Sequence, residues 1–126
     1  VAIIPRLDGM EREIGAKVRD LMELKTIKEA QLSAVHQEME PHEKAIDGLY
    51  ESRGEDRKWW SRGSFESEYA EAHAEYARMK EKAKRLDDEV YRLGNDIRMR
   101  SSFRDGLLEC RQRVTDAGLL EARKAA

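Results

Sequence analysis

One cysteine, Cys110, stands in the 126-residue chain, so no intramolecular disulfide framework can form. Prolines are only two, Pro5 and Pro41, and glycines are modest in number, so little punctuates the chain. No apolar run is long enough to span a bilayer. The opening Val1-Ala2-Ile3-Ile4-Pro5 is too short for a signal-peptide core and has no basic leader, so neither a membrane span nor export by a secretory signal is expected. An excess of charge of one sign is also missing: 24 Lys and Arg meet 26 Asp and Glu, a net charge of -2. General attraction to nucleic acid or an anionic membrane is therefore not expected of the whole chain.

Catalytic signatures are equally scarce. Gly54 and Gly63 show neither the spacing of a phosphate loop nor a strand before it. The histidines His36, His42 and His73 form no i, i+4 pair and no Glu-x-x-His motif, so a metal centre is not expected. Glu38 and His42 share a helix face and read as a surface contact, while Asp87-Asp88 and the pair Glu11 and Glu13 read as solvated faces. Cys110 has no neighbouring histidine, and its phase with Leu107 and Val114 points to packing rather than nucleophilic use. No cofactor, small-molecule substrate or catalytic constellation is expected, and the chain is read as a non-enzyme.

What is present is charge and periodicity. Charged residues make up 40% of the chain, against ~25% in an ordinary domain, and another 40% is hydrophobic. Apolar residues recurring at fixed spacing under a small net charge argue for ordered, solvated amphipathic helices rather than disorder. Leu7, Met10, Ile14, Val18 and Leu21 alternate by three and four. Continuing that register puts Lys25 and Lys28 in the seam. Leu24 and Ile27 lie one position earlier, so the stripe is expected to drift before resuming at Leu32, Val35, Met39, His42, Ile46 and Leu49. Pro41 removes a backbone donor and is expected to kink this first helix, 7–51, without dividing it.

Periodicity is lost over 52–66, the expected connection, with Ser64 or Ser67 as a cap for the next helix. From there Tyr69, Ala72, Tyr76, Met79, Ala83, Leu86, Val90, Leu93 and Ile97 follow a three-four spacing without a miss, a coiled-coil-like seam. The register then meets Arg100 and Arg104, and apolar residues reappear out of phase as Phe103, Leu107, Cys110, Val114 and Ala117. A bend or interruption near 100–106 and a short C-terminal helix follow from that reading, within a second helical segment over 67–121. Residues 1–6 and 122–126 are read as tails. The expected fold is all-α: one domain, a long antiparallel, coiled-coil-like helical hairpin.

Two clusters carry the candidate function. Arg57-Lys58-Trp59-Trp60-Ser61-Arg62, with Arg53 upstream, sets two tryptophans among cations in the connection. They read either as a hydrophobic plug closing the hairpin end or as anchors for a partner. Arg98, Arg100, Arg104, Arg111 and Arg113 give the last third a basic bias suited to an acidic partner face or to phosphate.

A helical hairpin with tryptophan at its turn is similar in outline to the WXG100 secreted proteins. Here, however, the chain reads Trp60-Ser61-Arg62-Gly63 where that family has Trp-x-Gly, and no Tyr-x-x-x-Asp/Glu signal follows. In architecture, though in no motif, the charge-rich hairpin resembles stalk proteins of secretion-apparatus ATPases and scaffolding or minor virion proteins of bacteriophages. The expected function is structural or adaptor work in a larger assembly, binding protein partners or copies of itself, in the cytoplasm or an intracellularly assembled particle. The alternative is a nucleic-acid-associated protein that uses the Trp59-Trp60 connection and the C-terminal arginines.

Overall fold

The computed structural model describes the backbone of residues 3–55 and 62–125 and the side chains of 3–49, 51 and 68–125. Two helices make up all of it: α1 spans Ile3–Glu55 and α2 spans Arg62–Ala125, with no strand among the described residues. None of the described helix is long and apolar enough to cross a membrane.

Four points bear on the sequence reading, and three of them differ from it. First, α1 begins at Ile3, a turn ahead of residue 7, because Pro5 falls in the first turn, where a missing N–H leaves no bond unmade. Second, as expected, α1 is not divided at Pro41. Third, only 56–61 lie between the helices, so Ser64 and Ser67 sit inside α2 and do not cap it. Fourth, α2 runs unbroken through 100–106, and there is no separate C-terminal helix. Gly106 costs ~1 kcal/mol there relative to alanine, which a long packed helix absorbs. Arg123 and Lys124 in the last turn complement the negative end of the helix dipole.

The helices contribute to two compact units, Ile27–Val90 and the pair of segments Val1–Thr26 and Tyr91–Ala126. In the first unit the two helical segments run antiparallel. Lys28 Nζ meets Glu89 Oε2 at 3.0 Å near one end, and the Tyr76 hydroxyl donates to Glu43 Oε1 at 2.6 Å toward the other. Val35, Ala83 and Leu86 form its core, with Leu32, Met39 and Met79 packed against them, and Ile46 is buried further along. Each lies at its seam position. The second unit is antiparallel as well: Asp8 pairs with Arg111, Glu11 with Arg104, and Lys25 reaches Gly94. Val18 and Leu21 are its buried hydrophobics.

The apolar seam does not drift on either helix. On α1, Lys25 and Lys28 are half-buried at strict three-four positions, while Leu24 and Ile27 are 41% and 54% exposed. Met10 is likewise exposed, and Glu11 holds the seam position beside it. On α2, Arg100, Arg104, Leu107, Arg111 and Val114 continue the spacing half-buried, whereas Phe103, Cys110 and Ala117 are exposed. Long Lys and Arg stems lie along apolar surface and carry their charge outward, so these residues hold seam positions without a change of phase.

Tyr76 supplies a pH-sensitive contact. Its hydrogen bond to Glu43, then burial, then the charges of Glu43 and Asp47, raise its pKa above the ordinary 10.0. The folded state thus favours the neutral phenol. This contribution is fully present below pH 10 and is lost as pH rises through the higher folded value. Thermal melts across the alkaline range should show wild type more stable than Tyr76→Phe at neutral pH, with the gap closing above pH 10. A gap that stays constant would rule the contact out as a source of stability.

Candidate functional site

The cations and tryptophans of the connection fall partly outside what the structure describes. Arg57, Lys58, Trp59 and Trp60 lie outside the described residues, and Arg53 and Arg62 are described only as helical backbone, in the last turn of α1 and at the first residue of α2.

The second cluster is fully described, and it does not converge. Arg98 donates to the Asn95 side-chain oxygen one turn earlier. Arg100 pairs with Asp96 at 2.9 Å and Arg113 with Glu109 at 3.0 Å, both at i, i+4. Arg104 and Arg111 turn toward α1, where Nε of each meets Glu11 Oε1 and Asp8 Oδ1, both at 2.6 Å. All five arginines thus have an acceptor within their own chain. Three lie in the seam and two on the outer surface. As a phosphate cradle the group is poorly arranged, because each guanidinium would have to release its acceptor first.

Gly15 explains how Arg104 fits. Buried and without a side chain, it leaves a notch over which the guanidinium lies; a Cβ there would stand 3.4 Å from Arg104 Cζ. Glu11, with only 20% of its side chain exposed, closes the arrangement. The chemistry is charge neutralisation inside a helix pair.

The histidines behave structurally. His42 is half-buried in the seam, and His36 is exposed. His73 packs edge-on against Tyr69, ring centroids 4.3 Å apart, with Nε2 enclosed and without a hydrogen-bond partner. No grouping of His, Cys, Asp and Glu among the described residues could hold a metal ion.

Sequence reasoning missed the outer surface of α2. The spacing places Phe103, Cys110 and Ala117 in a shifted seam, whereas the structure leaves them outside it. The signal that could have placed them was the pair Arg104 and Arg111. These sit seven residues apart in unbroken register, with Asp8 and Glu11 available on the other helix. Compared with known proteins, the chain matches no family model, no curated protein and no solved structure.

Proposed function

We propose that the chain is a non-enzymatic structural or adaptor protein, a long coiled-coil-like hairpin bent at Pro41 that binds protein partners or copies of itself within a larger assembly. A secretion-apparatus stalk and a phage virion or scaffold component are assemblies of that kind, formed in the cytoplasm or in an intracellularly built particle. One observation carries this reading. Six hydrophobic residues are buried among those described, while eleven large ones, from Ile3 to Leu120, remain exposed. Two paired helices bury one narrow seam each, so a further surface is needed to cover the rest.

Trp59 and Trp60, flanked by Arg53, Arg57, Lys58 and Arg62, are the proposed anchors for a partner, because aromatic and arginine side chains dominate interface energetics. Absolute mass in solution, measured alone and with any chain that co-purifies stoichiometrically, tests the general reading. A strict monomer without such a chain would sink it. A Trp59→Ala, Trp60→Ala variant should keep its helical circular dichroism while losing about 2 kcal/mol or more of partner binding. Lost folding with unchanged binding per folded molecule would instead make the tryptophans a plug. Steeply salt-dependent binding to single-stranded nucleic acid, abolished in that variant, would transfer the function to the nucleic-acid class.

A further inference from the structure

In the unit formed by Val1–Thr26 and Tyr91–Ala126, α2 carries an apolar stripe on its outside as well as its seam. The seam side, which faces α1, mixes Arg100, Arg104 and Arg111 with Leu93, Ile97, Leu107 and Val114, whereas a second three-four stripe on the outside is nearly all apolar or small. That stripe begins with Met99 and Phe103, 73% and 56% exposed, and passes through Gly106, Cys110 and Ala117 to Leu120, 53% exposed. Arg113 is its only charged member. A helix whose sole neighbour is α1 needs no second apolar stripe on its solvent side. Ile3 and Met10 are also exposed, and each precedes a seam residue of α1, as Phe103 and Cys110 do on α2. In an antiparallel pair such positions line one side, so both helices contribute to the surface.

We propose that this surface binds a second copy of the chain, with α2 lying antiparallel on α2 about a twofold axis near Cys110. The inference rests on the self-binding form of the function proposed above. Order along the stripe selects the direction. In an antiparallel arrangement about Cys110, Phe103 meets Ala117, Met99 meets Leu120, and Gly106 leaves room for Arg113 of the other copy. A parallel arrangement would stack Phe103 on Phe103 and leave glycine opposite glycine.

Charge selects the same direction. Arg98 beside one end is brought toward Glu121 beside the other, and Arg113, now paired with Glu109 of its own helix, comes within reach of Glu109 of the second copy. Parallel pairing would set each of these against its like. From Met99 to Leu120 the stripe is ~32 Å long at ~1.5 Å per residue. Two helices wide, it gives on the order of 600 Å² per copy, at the small end for a specific interface. The association is therefore concentration-dependent.

Sedimentation equilibrium of the whole chain under reducing conditions should show monomer passing to dimer across a concentration series. Phe103→Asp, a change at an exposed position that leaves circular dichroism intact, should weaken the dimer by about a hundredfold, the effect of losing an interface hot spot. A short bismaleimide should link Cys110 to Cys110 in the wild-type dimer. It should not link a Cys110→Ser, Ser102→Cys chain, whose thiols would lie far apart on the flank. A dimer that ignores Phe103→Asp and does not crosslink at Cys110 overturns this surface but keeps self-association. A monomer at every concentration that nonetheless holds a different chain stoichiometrically overturns the second copy and keeps the adaptor reading. A monomer with no partner overturns both.

Discussion

Leu86→Asp abolishes the helix pairing of the unit Ile27–Val90. Leu86 is 8% exposed and packs with Val35 and Ala83 at the centre of the described core. Replacing it removes a buried side chain, which costs ~2–5 kcal/mol, and places a carboxylate where none of its core neighbours can hydrogen-bond it. Together these approach the whole ~5–15 kcal/mol stability of an ordinary domain, and a unit with so few buried residues has less to lose. Circular dichroism at room temperature should therefore fall toward the unfolded value. Leu93→Asp, at a half-buried position in the other unit, should lower the melting temperature without erasing helicity, and Tyr91→Asp, at a 68% exposed position, should change little. Equal melting curves for wild type and Leu86→Asp would disprove the seam.

That seam was legible because α2 states it without interruption. From Tyr69 to Ile97 every third or fourth residue is apolar, and every one is buried or half-buried in the structure. Reading failed where seam positions held lysine or arginine. A hydrophobicity pattern treats Lys25, Lys28, Arg100 and Arg104 as breaks in the stripe. Physically, a long side chain covers the seam with its methylenes and sends its charge to Glu89, Asp96 or Glu11. The apparent break also implies an interruption near 100–106 and a packed Cys110, whereas α2 is continuous there and Cys110 is exposed. Helix ends were misplaced for a different reason. Proline near a helix start and serine within its first turns are compatible with helix, and neither fixes a boundary to within a turn. Of the candidate site, sequence supplied the residues but not their partners: which carboxylate each arginine meets depends on the α1–α2 register, visible only once both helices are aligned.

Replacing Glu11 and Arg104 together by leucine should make the chain more stable, although either single replacement weakens it. The pair is direct, 2.6 Å, with 20% of the Glu11 and 43% of the Arg104 side chain exposed. Arg104→Leu alone leaves a mostly enclosed carboxylate without its cation, a loss of roughly 1–3 kcal/mol. Glu11→Leu strands the guanidinium over Gly15, which has no side chain to offer it, with a smaller loss because Arg104 can swing toward solvent. With both replaced, the seam continues Val18 and Leu21 in apolar residues, and the desolvation of two charges disappears. Exchanges of this kind are neutral or stabilising by roughly 1–4 kcal/mol, several degrees in melting temperature for a chain of this size. A double variant less stable than wild type would show that the ion pair is a net source of stability. A more stable one would leave specificity as the reason for charges inside the seam. The two pairs form together in one antiparallel register only: a slip by one heptad sets Arg111 against Glu11 or Arg104 against Asp8 and leaves the other arginine and carboxylate unpaired. The stabilised variant should accordingly show loosened pairing, seen in sedimentation as more species than wild type gives.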